Sequence, residues 1–130
     1  MTLRKGKLMV DIRVLLGGLW IALMLTYLLG DVLRIFAGDF KAGEIEGVQV
    51  TQVMWLGIAI FMLVPIVMLV LTLLLPQPGL RPLTIGAAVV LFLFNLVALP
   101  TYPSLYDKFL IAVGLIFNVM TVIYAWNWAE

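Results

Sequence analysis

The chain has 130 residues, 65% of them hydrophobic and 12% charged, with a mean hydropathy of +1.19, whereas soluble domains hold roughly half apolar and about a quarter charged residues. This is the composition of an integral membrane protein. A formal charge of +1 gives no nucleic-acid footprint, and a chain with no Cys and no His has no disulfides, thiol redox, imidazole catalysis or usual zinc ligands.

Spans come first, because a bilayer core about 30 Å thick needs about 20 apolar residues per helix. Four long neutral stretches meet that length: Val14 to Gly30, Gly47 to Leu80, Pro82 to Tyr106 and Phe109 to Ala129. The expected architecture is an all-α, integral membrane four-helix bundle in a single transmembrane domain, with spans at about 13–36, 50–75, 83–99 and 105–128. The second stretch is long, but Pro76-Gln77-Pro78-Gly79 breaks helix after Leu75 and leaves one crossing. Pro82 and Pro100 bracket the third helix, read as Leu83 to Leu99. Pro65 lies inside the second helix and should kink it. The basic start followed by an apolar run resembles a signal peptide, but the run is too long and lacks an A-x-A site, so the first helix is expected to be retained.

Basic residues set the expected orientation. Arg4, Lys5, Lys7 and Arg13 precede the first span and Arg81 lies in the second connection, outnumbering Arg34, Lys41 and Lys108 on the other side. Both termini are therefore expected in the cytoplasm. Trp126 and Trp128 then fall at the inner interface, and Trp55, Tyr102 and Tyr106 at the outer one, where amphipathic rings prefer headgroups.

Two small-residue stripes mark helix faces. Gly18, Ala22, Thr26 and Gly30 recur every fourth residue on the first helix, and Gly114, Asn118, Thr121 and Ala125 share one face of the fourth. Both are expected to face protein, within the chain or between copies, since close backbone approach drives helix association in lipid. Asn118, about 16 Å in from the outer end of its helix, reads as interhelical glue.

A set of polar and charged side chains falls toward the outer leaflet. Tyr27, Asp31 and Arg34 lie one turn apart along the first helix, and Asp31 pairs most cheaply with Arg34. Gln52 opens the second helix, Asn95 lies about 6 Å below the outer end of the third, and Asp107 with Lys108 opens the fourth. One reading makes Tyr27, Asp31, Arg34, Gln52, Asn95, Asp107 and Lys108 an outward-opening polar vestibule. The other leaves them at headgroup level, with Asp107 and Lys108 solvated and Arg34 snorkelling. Asp39, Glu44 and Glu46 lack the spacing of a calcium loop and read as a solvated acidic connection. No phosphate-binding loop surrounds Gly17-Gly18, and no acid and base pair is positioned anywhere. No catalytic constellation, cofactor or metal is expected.

Gly18-Leu19-Trp20, Tyr27-Leu28-Leu29-Gly30-Asp31 and Gly47-Val48-Gln49-Val50-Thr51-Gln52 follow in an order that resembles a family of small four-span prokaryotic integral membrane proteins of unknown function. The likeness extends through the Arg81 turn, the connection from Pro100 to Tyr106 and the closing Tyr124-Ala125-Trp126-Asn127-Trp128. The resemblance implies that Asp31 and Gln52 belong to the family pattern and that the chain sits in a prokaryotic inner membrane. It supplies no activity. Where that pattern prefers polar residues near positions 25 and 26, only Thr26 is polar here.

Two functions are therefore expected to compete. The first is a non-catalytic protein that binds a lipid or another membrane protein, as an oligomer or as accessory subunit of a larger membrane complex. The alternative is a small, dimeric transporter resembling in size the multidrug-resistance exporters, but its first helix carries Asp31 near the end and no acid at mid-membrane.

Overall fold

A computed structural model describes residues 11–39, 41, 43–45, 48–102 and 104–128. Helix α1 (Ile12–Phe36) starts where the Asp11 carboxylate accepts from the Arg13 backbone N–H, which satisfies a donor that the first turn would leave free. A hairpin of two short strands, β1 (Glu44–Ile45) and β2 (Val48–Gln49), follows antiparallel with Glu44 opposite Gln49. Gly43 precedes it at φ 79°, a left-handed conformation that glycine adopts without a Cβ clash. Helix α2 (Gln52–Leu74) is capped by the Thr51 hydroxyl, which accepts from the Met54 N–H. Helices α3 (Gln77–Ala98) and α4 (Leu105–Trp126) are joined through a 3-10 turn, Leu99–Thr101.

All four helices are long and apolar enough to cross a membrane. Cross-helix contacts make them antiparallel neighbours. Gly17 meets Leu69, Gly30 meets Leu110, and Arg81 bonds the last carbonyls of α4. The start of α1 and the end of α4 thus share one end of the bundle, where the Arg13 guanidinium stacks 5.1 Å from the Trp128 ring centroid. We call this the terminal end and the opposite one the loop end. Helix α1 packs on α2 and α4, and α4 packs on α3, while α2 and α3 scarcely touch beyond their short connection and a tilted pair of rings, Phe61 and Phe94, 4.5 Å apart. The core is built from Leu16, Leu19, Trp20 and Leu23 of α1, Met68 of α2, Leu80, Ala88 and Leu91 of α3, Ala125 of α4 and Trp128 just beyond it.

One helix boundary needs correction. The third helix begins at Gln77, a turn and a half before Leu83, and carries Pro82 inside it. Pro78 lies in the first turn, where backbone donors have no helical acceptor, whereas Pro82, the sixth residue, forgoes one bond of the helix ladder. The early turn is held from outside, by Gln77 Nε2 donating to the Trp128 carbonyl (3.1 Å) and by Arg81 on α4. Helix α2 runs without interruption through the buried Pro65. Along the α1 stripe Gly30 is buried against Leu110, whereas Gly18 is exposed on the single chain with open space where a Cβ would lie. Its neighbour Gly17 makes the close approach instead, with Leu69 Cδ1 3.2 Å from that position. Thr26 is half-buried and returns its hydroxyl to the Ala22 carbonyl (2.7 Å). On α4, by contrast, Gly114, Asn118, Thr121 and Ala125 are all buried.

Candidate functional site

At the loop end, helix termini place the charges before any tertiary contact does. Arg34 lies in the last turn of α1 and Asp107 in the first turn of α4, each of the sign that its helix dipole favours. Antiparallel packing then brings the two ends together. Arg34 Nη2 donates to Asp107 Oδ1 at 3.0 Å, and Nη1 to Asp31 Oδ1 at 2.9 Å. The side chains are unequally covered: Asp107 is 6% exposed, Arg34 29% and Asp31 50%. Asp107 is therefore the buried anchor and Asp31 the solvent-facing arm. Tyr102 lies against the same guanidinium, its ring centroid 5.7 Å from the Arg34 Cζ, a geometry in which the negative ring face attracts the cation.

A second polar group braces the connection to α4. Asp39 Oδ2 accepts from Ser104 Oγ (3.1 Å) and from the Tyr106 hydroxyl. Ser104 is the N-cap residue of α4, but its side chain makes no cap bond and its hydroxyl donates to Asp39. Deeper in the bundle, Asn95 Nδ2 donates to the Tyr27 hydroxyl (2.8 Å) and to the Leu91 carbonyl (2.8 Å).

Of the seven residues expected at a vestibule, five fall into two linked sets: Asp31, Arg34 and Asp107, and below them Tyr27 with Asn95. Gln52 and Lys108 are exposed, and among the described residues neither hydrogen-bonds to the other five. Asp107 is not solvated beside Lys108 but buried against Arg34. Asp39 is a bonded strut rather than a free acid, Glu44 opens the hairpin, and Glu46 lies outside the described residues. Among the described residues no group of three His, Cys, Asp or Glu side chains gathers to hold a metal ion.

The terminal end has its own cluster, which the residue pattern did not reveal. Arg13 Nη1 donates to the Thr72 carbonyl (2.9 Å) and the Leu75 carbonyl (2.6 Å) at the end of α2. Arg81 Nε donates to the Ala125 carbonyl (3.0 Å) and Nη2 to that of Trp126 at the end of α4. Arg81 also lies 5.7 Å from the Trp126 ring. Each guanidinium thus replaces donors that a helix C-terminus lacks, at the negative pole of its dipole. The only legible signal was a basic residue beside a short turn.

Shallow apolar grooves run along the α3 and α4 surface. One of about 300 Å³ is lined by Phe92, Leu115, Ile116, Val119 and Met120. Another of about 220 Å³ is lined by Val89, Phe92, Asn118, Val119, Val122 and Ile123. Neither includes Asp31, Arg34 or Asp107. Inside the bundle, Trp20 Nε1, Thr84 Oγ1 and both amide atoms of Asn118 are buried with no hydrogen-bond partner. No known protein family, curated protein or solved structure matches the chain.

Proposed function

We propose that this chain is a non-catalytic membrane bundle, with both ends in the cytoplasm of a prokaryotic cell, that works by binding lipid or another membrane protein as an accessory subunit. The observation behind this reading is the contrast between satisfied charges and an unpartnered apolar perimeter. Arg34 is held by two carboxylates of its own chain, which leaves no free cation or acid aimed at a substrate in that set. Meanwhile the loop-end half of α2 offers Val53, Leu56 and Ile60 with no cover from the other helices, at 79%, 61% and 59% exposure. Apolar surface of that kind is covered by acyl chains or by another helix in a bilayer.

Native mass spectrometry of the chain released from membranes in mild detergent tests this reading. Complexes that retain lipid or a protein companion are expected. A bare monomer under every mild condition overturns it. A transporter would instead use Asp31, the half-exposed acid of the loop end. Substrate-driven proton flux in liposomes, abolished by Asp31→Asn, would displace the accessory reading in its favour.

A further inference from the structure

The strongest unexplained feature inside the bundle is Asn118. It is 1% exposed, and neither its Oδ1 nor its Nδ2 finds a hydrogen-bond partner. It lies more than halfway along α4 from the loop end, on a buried face made of Asp107, Gly114, Asn118, Thr121 and Ala125. That face carries no large apolar side chain. One turn toward the loop end, a Cβ on Gly114 would meet Leu23 Cδ1 at 3.5 Å and Tyr27 Cε1 at 3.7 Å, so the Tyr27 ring lies over the glycine. Asn118 lies one turn beyond that glycine on the same buried face, so its carboxamide and the Tyr27 ring border the same stretch of the α1–α4 seam. The Tyr27 hydroxyl accepts from Asn95 Nδ2, which leaves its own proton to give.

From these groups we propose a buried water site shared by Tyr27 of α1 and Asn118 of α4, with Asn95 of α3 orienting the tyrosine. A direct bond from Tyr27 to Asn118 Oδ1 would still leave Nδ2 without an acceptor. A water accepts from the Tyr27 O–H and from Asn118 Nδ2 and donates to Asn118 Oδ1, so both orphaned atoms of the Asn118 amide are used. Three protein bonds are the usual number for a buried water. The strength of the case lies in the setting, since an amide left unpaired has no solvent to turn to inside a bilayer. The site extends the polar groups of the loop end, through Tyr27 and Asn95, to the midsection of α4.

The test is magnetisation transfer from water to the Asn118 side-chain NH2, read by NMR on the labelled full chain in lipid nanodiscs. A water cross-peak at Asn118 is expected, against silence at neighbouring backbone amides of α4. Its absence, with a cross-peak linking the Tyr27 hydroxyl directly to Asn118, makes the contact dry and overturns the site. Tyr27→Phe keeps the ring on Gly114 and removes only the hydroxyl. Loss of the Asn118 water cross-peak in that variant, with the rest of the spectrum in place, is expected. An undiminished cross-peak removes Tyr27 and overturns the shared site. The wild-type measurement decides the case even if the variant does not fold.

Discussion

The two ends of the bundle handle arginine differently. At the loop end Arg34 is neutralised by carboxylates, one buried and one half-exposed. At the terminal end Arg13 and Arg81 meet carbonyl oxygens and indole rings, which satisfy their donors without cancelling their charge. The first arrangement joins α1 to α4 by charge. The second joins helix ends by completing their backbone hydrogen bonds, and it keeps a positive rim. Planar, multi-donor guanidinium suits both tasks where a lysine ammonium suits neither as well.

Removing the buried member of the loop-end pair should have the largest effect. Asp107→Asn leaves Arg34 with only a half-exposed carboxylate, and breaking a buried pair costs about 3 kcal/mol. Unfolding in a detergent titration should show that loss, and a loss below about 1 kcal/mol would mean that Asp107 and Arg34 are far more hydrated than their burial implies.

Next comes the clasp at the other end. Arg81→Ala removes bonds to two carbonyls of α4 and the contact with Trp126, a loss of about 2 kcal/mol. Faster hydrogen exchange of the first turn of α3 should accompany it, because that turn is held from α4. Arg81→Lys should recover only part of the loss. Full recovery would show that charge alone, rather than the shape of the fork, serves the helix end.

Asp31→Asn should cost less, roughly 0–1 kcal/mol, because a half-exposed pair one turn apart is screened by solvent. The difference between Asp31→Asn and wild type should shrink further as salt is raised. If Asp31→Asn proved as damaging as Asp107→Asn, the unequal burial of the two carboxylates would not govern their contributions. The smallest effect is expected at Thr84, whose hydroxyl is buried and unbonded. Thr84→Val keeps the shape and removes an unsatisfied group, so stability should stay within about 0.5 kcal/mol or rise. A clear fall would reveal a hydrogen bond that the hydroxyl makes in the membrane.

Local pairs were readable and distant ones were not. Asp31 with Arg34 follows from a separation of three residues on a helix, and the pair forms. Nothing in the residue order joins Arg34 to Asp107, 73 positions away, or Asn95 to Tyr27, 68 away. Side by side in the sequence, Asp107 and Lys108 read equally as vestibule residues or as a solvated pair, and only the packing buries Asp107 against Arg34. Along α1 four small residues at fourfold spacing define a face, while the close approach within the chain falls one position off it, at Gly17, where Leu69 arrives. The start of α3 is hidden in the sequence because prolines read as breaks, and the bonds that hold the helix from Gln77 come from the far end of the chain.

Residue order alone determined four apolar helices and most of their ends, since span length, the caps at Asp11 and Thr51, and the proline turn after Leu75 all act within a few residues. Tertiary structure decided which buried groups meet: Arg34 with Asp107, Arg13 and Arg81 with helix-end carbonyls, Tyr27 with Asn95. The physical reason is that backbone and side-chain preferences are short-ranged. A guanidinium or amide can take any acceptor that packing delivers, and only the packing of these helices selects one.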